Sequence, residues 1–333
     1  MLAVLTFLAS AGHLVYGDRL QPKDLSEAST QFSQALYGRL AVDTPNSVYS
    51  PFCIHAALTM MSLGARGQTS REMTTTLRIT DLGDAVHEMY RELITDFNSV
   101  RHIGLSTVNT FYMDHRDEIN PVFIHNITSY YKVKVVITDV FHLRLVQEAS
   151  NDVRTTHTTL IYSLSDVYLL NAVVLEGSWE RTFSAERTRN QTFYKNGHSV
   201  SQVALMNDER TTNFKRDNLN EVDVVELPLL GGRFCFYIVL PQKVDGIKKI
   251  EELLVTPGKV EELLTGLTLQ RLGVSIPKID VHETGISAAT GVITGPANVA
   301  SQTRKKFLAD HPFVYFLRDK QSGHIVLQGK FSG

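Results

Sequence analysis

Glu283-Thr-Gly-Ile-Ser-Ala-Ala-Thr-Gly-Val-Ile293 is the stretch on which the reading of this chain turns. After Glu283 it strings small residues and β-formers together with no charge and no proline. Such a segment is awkward on a surface and fits the middle of a β-sheet. With strand alternation, Ile286, Ala288, Thr290 and Val292 share one face, and Ser287, Ala289, Gly291 and Ile293 the other. The next residues, Thr294-Gly-Pro-Ala-Asn-Val-Ala-Ser-Gln-Thr303, are turn-rich and read as an exposed loop. A chain able to become a buried strand thus runs straight into a loop that a protease could cut.

The rest of the chain supplies a large core for that segment. Of 333 residues, 43% are hydrophobic and 20% charged, which suits one large domain or two ordinary ones and argues against disorder. Thirty-three basic residues against 35 acidic ones leave a net charge of −2, so no general attraction to nucleic acid or to an anionic membrane is expected. No stretch beyond the N-terminus approaches the ~20 apolar residues of a membrane span.

Residues 1–17 read as a secretory leader. An apolar run ends in Val15-Tyr-Gly17 before the charged Asp18-Arg19, with small residues where a signal peptidase would cut, although the run carries no Lys or Arg. A secreted, extracellular chain and a single domain over 18–333 follow as expectations. The sequons at Asn126 and Asn190 fit a glycoprotein. Cys53 and Cys235 sit in apolar patterns and read as small buried core residues.

Hydrophobic periodicity predicts a helix over 25–40 and a second, nearly all-apolar helix over 54–63 that starts at Ser50-Pro51. Thr69-Ser-Arg-Glu72 reads as the capped start of another helix, and Asn120-Pro as the start of a further one. Strands are expected over 105–113, 132–138 and 167–175, and as a hairpin over 223–227 and 233–240 across Gly231-Gly232. A single helix is expected over 247–264, then strands over 269–276, 313–318 and 324–328. Residues 146–165 read as irregular. Helices early and strands late, without βαβ alternation, argue α+β.

Several segments, in order, resemble the serpin family. Asn46-Ser-Val-Tyr-Ser-Pro-Phe-Cys-Ile54 is similar to its opening motif, in which Asn46, Ser50 and Pro51 are typical and Cys53 replaces a serine. Leu170-Asn-Ala-Val-Val-Leu-Glu-Gly-Ser-Trp-Glu180 resembles its central strand, with Asn171 in the strand and Trp179 at its top. Val224-Val-Glu-Leu-Pro228, Val274-Ser-Ile-Pro-Lys278, Asp310-His-Pro-Phe313 (Pro312 and Phe313 included) and Val326-Leu-Gln-Gly329 continue the likeness.

The resemblance implies helices on mixed, mostly antiparallel sheets, with an exposed reactive-centre loop over about 285–306. It also implies a hinge at Glu283, Gly285, Ile286, Ser287, Ala288, Ala289 and Thr290. Counting fourteen residues on from Gly285 places the reactive bond between Val299 and Ala300. Small aliphatic residues there suit an elastase-like serine protease, whose specificity pocket is small and apolar, and not a trypsin-like one. A monomer that inhibits such a protease, with no cofactor and no metal, is the expected function.

Two departures qualify this. After Lys278 the family normally runs through a strand, a helix and another strand before the hinge, whereas here Ile279-Asp-Val-His282 leads into Glu283 at once. The main sheet is therefore expected to be incomplete beside the inserting loop. Ile286 also stands where the family prefers Thr or Ser. An inactive serpin-fold protein, cleaved as a substrate or serving as a binding protein, is the alternative. Enzyme chemistry has little support: His282-Glu-Thr-Gly lacks the second histidine of a zinc-protease helix, and no Gly-x-Ser-x-Gly elbow occurs.

Overall fold

Two adjacent strands buried on both faces divide the interior into two cores. The structure, a computed structural model, describes residues 20–40, 45–101, 103–115, 118–137, 160–164, 167–195, 199–278, 281–282, 285–286 and 305–333. The strands Val222–Pro228 (β8) and Phe234–Pro241 (β9) form the expected antiparallel hairpin. Val225, Leu227, Phe236, Ile238 and Leu240 enter the larger core; Val222, Val224, Cys235, Tyr237 and Val239 face a second core on the other side. Both faces of this hairpin are covered, which is why its sequence is a near-continuous apolar run.

The helices are Pro22–Leu40 (α1), Pro51–Ser62 (α2), Gly67–Thr76 (α3), Ala85–Phe97 (α4), Pro121–Tyr131 (α5), Ile247–Leu254 (α6) and Lys259–Leu264 (α7). Helix α2 has the start read from Ser50-Pro51: the Ser50 side chain accepts from the Cys53 amide at 3.1 Å, and proline occupies the first turn, where its missing N–H costs nothing. Asn120 caps α5 in the same way, accepting from the Val122 amide at 2.8 Å. Two expectations need correction. Helix α3 starts at Gly67, behind Arg66, with no side-chain cap, so Thr69 lies inside the helix. The helix expected over 247–264 is two helices, because Pro257-Gly258 interrupts it and Gly258 takes a φ of 77°.

The remaining strands are Ser47–Tyr49 (β1), Ile103–Met113 (β2), Lys134–Ile137 (β3), Leu160–Leu164 (β4), Val167–Ser178 (β5), Arg189–Lys195 (β6), Ser199–Asp217 (β7), Thr268–Pro277 (β10), Val281–His282 (β11), Gly285–Ile286 (β12), Lys306–Leu308 (β13), Phe313–Asp319 (β14) and Ile325–Phe331 (β15). They form two sheets among the described residues. A nine-stranded sheet runs β1-β15-β14-β9-β8-β7-β10-β13, with β6 also on β7. A six-stranded sheet runs β11-β12-β5-β2-β3, with β4 also on β5. All pairs are antiparallel except β2–β3 and β10–β13, so the α+β expectation stands.

Residues 160–164, within the segment read as irregular, form a strand folded back on β5. Both cysteines are free and buried. No helix among the described residues is long and apolar enough to cross a membrane.

Candidate functional site

The two edges of β5 are occupied unequally. Strand β2 lies along one edge from Val167 to Gly177 without interruption. The other edge carries two short pieces. Strand β4 pairs with β5 from Val167 to Asn171, and β12 pairs with Gly177 and Ser178. Between them, positions 172–176 of that edge have no partner among the described residues.

Trp179 fixes the upper end of this edge. It is buried, with its ring edge-on to Phe183 at 6.0 Å and to Phe236 at 5.9 Å. The neighbouring backbone is tied to the β8–β9 hairpin: the Leu230 amide donates to the Ser178 carbonyl at 2.8 Å, and the Glu180 amide donates to the Pro228 carbonyl at 3.0 Å. Gly177 packs closely on that hairpin, since a Cβ there would lie 2.9 Å from Leu229 Cδ1 and displace it. The end of β5 is therefore anchored to the nine-stranded sheet.

Here two residues of the sequence-derived hinge meet the sheet. Gly285 pairs with Ser178 and Ile286 with Gly177, antiparallel, and β11 pairs with β12 on its outer side. Ile286, the larger residue at a position where a small one was expected, has a directly opposed partner with no side chain. The rest of the sequence-derived hinge (Glu283, Ser287, Ala288, Ala289 and Thr290) and the reactive bond (Val299 and Ala300) lie outside the described residues. Beyond them the chain returns as β13, parallel to β10, with the Lys305 ammonium donating to Gln270 Oε1 at 3.0 Å.

Beneath the six-stranded sheet, α2, α4 and α5 form a floor rich in buried polar groups. Asn109 on β2 donates through Nδ2 to the Tyr131 carbonyl at 2.8 Å, and His87 Nδ1 lies 2.7 Å from the Tyr131 hydroxyl. His55 places Nδ1 at 2.5 Å from the Tyr90 hydroxyl and Nε2 at 2.7 Å from the Leu77 carbonyl. A carbonyl can only accept, so Nε2 carries the proton and Nδ1 accepts from Tyr90. Burial holds the His55 imidazole down to about 4 and that of His324 to about 3, while it pushes the Cys53 thiol up to about 12. A thiol so protonated and enclosed is an inert packing group.

The other motif residues have structural places. Asn46 accepts through Oδ1 from the Ser332 amide at 2.7 Å, joining β1 to the C-terminal strand. Pro312 and Phe313 are buried at the start of β14. Asn171 stands in β5 opposite Asn109 on one side and Leu160 on the other. Of the two sequons, Asn190 is exposed on β6 and Asn126 is half-buried within α5. The sequence reading missed β4 as an occupant of the edge. Its signal was an apolar run, Leu160-Ile-Tyr-Ser-Leu164, only two residues before β5.

A family model described as Serpin (serine protease inhibitor) matches residues 27–286. The chain belongs to the serpin family. Among its relatives, human Serpin B4 is 24% identical over 92% of this chain and 99% of its own length. The leukocyte elastase inhibitor of Bos taurus is 26% identical over 93% and 99%. The crystal structure of human thyroxine-binding globulin complexed with its ligand superposes with a TM-score of 0.78 at 17% identity, covering 93% of this serpin and 98% of that chain.

These relatives correct the expectation of a secreted chain. Serpin B4, Serpin B3 and the leukocyte elastase inhibitors are intracellular serpins without signal peptides, and likeness to them points away from secretion.

Proposed function

We propose that this serpin inhibits an elastase-like serine protease as a suicide substrate. The observation that carries the reading is the pairing of Gly285 and Ile286 with the top of β5, which starts a strand on an edge whose next positions have no partner among the described residues. The protease serine would attack the carbonyl carbon of Val299 and lose its proton to the protease's own base. The bond to the Ala300 nitrogen then breaks, that nitrogen leaves as a protonated amine, and Val299 stays joined to the serine as an ester. Insertion of the freed strand beside β5 would carry the ester-linked protease away before water resolves it. Likeness to leukocyte elastase inhibitors supports the class of target, as do the small residues at the bond.

A second reading has its own observation. Strand β11 covers only two residues of β12, so an inserting strand would find little to pair with on its outer side. The chain would then be cut and released, and would act as a substrate or a binding protein.

The test is to mix the protein with an elastase and separate the products on a denaturing gel. A band at the summed mass, absent when the protease serine is replaced by alanine, is expected for inhibition. Cleavage after Val299 without that band would establish the second reading.

A further inference from the structure

The edge of β5 that an incoming loop needs is already partly taken. A strand has two edges, and β2 holds one of them along the whole of Val167–Gly177. Strand β4 and the hinge strand β12 must therefore share the other. Their registers show how they divide it: Leu160 pairs with Asn171 and Leu164 with Val167, whereas Ile286 pairs with Gly177. Both run antiparallel to β5, so β4 has the direction that a strand growing downward from Ile286 would have. A strand continuing the β12 register would pair at positions 176 to 172 of β5, five positions without a partner among the described residues, and would then collide with Leu160.

We propose that β4 is a built-in rival strand, one that holds the lower end of the insertion edge and stops loop insertion at Asn171 until it peels away. This rests on the inhibitory reading above and adds a regulated step to it. The physical basis is that one edge N–H and C=O row can serve one partner at a time. Strand β4 is suited to leaving. It is five residues long, its pairing is with β5 alone among the described strands, and its own outer edge has no partner among them. Strand β2 has none of these properties, since it is eleven residues long and pairs on both sides. How readily β4 yields would then decide whether the loop inserts before the ester is hydrolysed.

A reversible lock tests this. Directly opposed residues of an antiparallel pair lie ~4.5–5.5 Å apart at Cα, within the ~4.4–6.8 Å that a disulfide spans. The opposed pair Ser163 and Tyr168 can therefore be joined in the double variant Ser163→Cys/Tyr168→Cys. The intact protein is nicked in the 287–304 loop with an elastase, and its thermal midpoint is compared with that of the uncut chain, oxidised and reduced. The expected result is a rise in midpoint on nicking in the reduced form, and a rise at least several-fold smaller in the oxidised form. An equal rise in both forms would overturn the rival-strand proposal and leave the inhibitory reading standing. No rise in either form would overturn both.

A second variant guards against a lock that disturbs folding. Ile161→Pro/Tyr162→Pro removes a ladder N–H whichever of these neighbours faces β5. It is expected to raise the fraction of protease trapped as covalent complex above that of the unaltered chain. An unchanged fraction would count against β4 as the obstacle.

Discussion

The β8–β9 hairpin and the outer edge of β5 are both made of apolar β-formers, yet one is closed while the other, among the described residues, is filled only towards its two ends. Strands β8 and β9 have neighbours on both edges and a core on both faces. Strand β5 has an unbroken neighbour on one edge and two short, separated ones on the other. A closed strand has its backbone groups satisfied and can change only by unfolding. An edge with vacant positions can accept another strand while the rest of the molecule stays folded. Changes in the closed region should therefore cost stability, and changes at the edge should alter the response to nicking.

The largest effect is expected where the two regions meet. Trp179→Ala would remove the ring held between Phe183 and Phe236, at a cost of about 3–5 kcal/mol in a denaturant titration. A loss below ~1 kcal/mol would show that the top of β5 is not anchored to the nine-stranded sheet as described.

Acid should come next, and should act through the floor beneath the sheet. The unfolded chain takes up protons on His55 and His324 near the ordinary histidine value of about 6.5. The folded chain resists until about 4 and about 3, because burial disfavours both imidazolium forms. Their contribution is thus complete above pH ~6.5 and is lost progressively as the pH falls through that window. Unfolding midpoints measured from pH 7.5 to 4 should decline, and His324→Phe should make the decline shallower. His324 packs edge-on against Phe52 at 6.3 Å, so a phenyl ring suits the site.

Ser50→Ala removes the cap on α2 and should cost about 1 kcal/mol. Lys305→Ala, just before the return strand β13, breaks one exposed hydrogen bond to Gln270 and should stay within about 0.5 kcal/mol of the unaltered chain. A larger cost there would mean that the loop's return end is part of the closed region.

The closed region was largely legible in the sequence because its pattern is local. Ser50-Pro51 announces α2, and the paired glycines 231 and 232, both at positive φ, announce the β8–β9 turn. Strand β7 escaped for a physical reason. Its buried face carries Asp208, Arg210 and Thr212 in alternation, so the apolar signal is missing. Those groups pair with one another and with neighbours: Arg210 bonds Asp208 and lies 3.8 Å over the Phe183 ring, while Arg187 reaches Asp208 at 3.3 Å. Helix α4 was also missed, although Val86, Tyr90, Leu93, Ile94 and Phe97 fall at helical spacing and carry the signal.

The candidate site was legible only in its parts. The small-residue segment after Glu283 is visible in the residues, whereas its hinge role, the shortened path from Lys278 to Glu283 and the expectation of an incomplete sheet came through the family resemblance. That β4 and β12 share one edge of β5 is a matter of non-local register, which no spacing along the chain encodes.

Amide hydrogen exchange along β5, before and after nicking by an elastase, tests the central claim most directly. The expected result is new protection at residues 172–176 in the nicked chain, with β2 and β8 unchanged. Exchange at those amides that stays the same after nicking would contradict insertion on the open edge of β5.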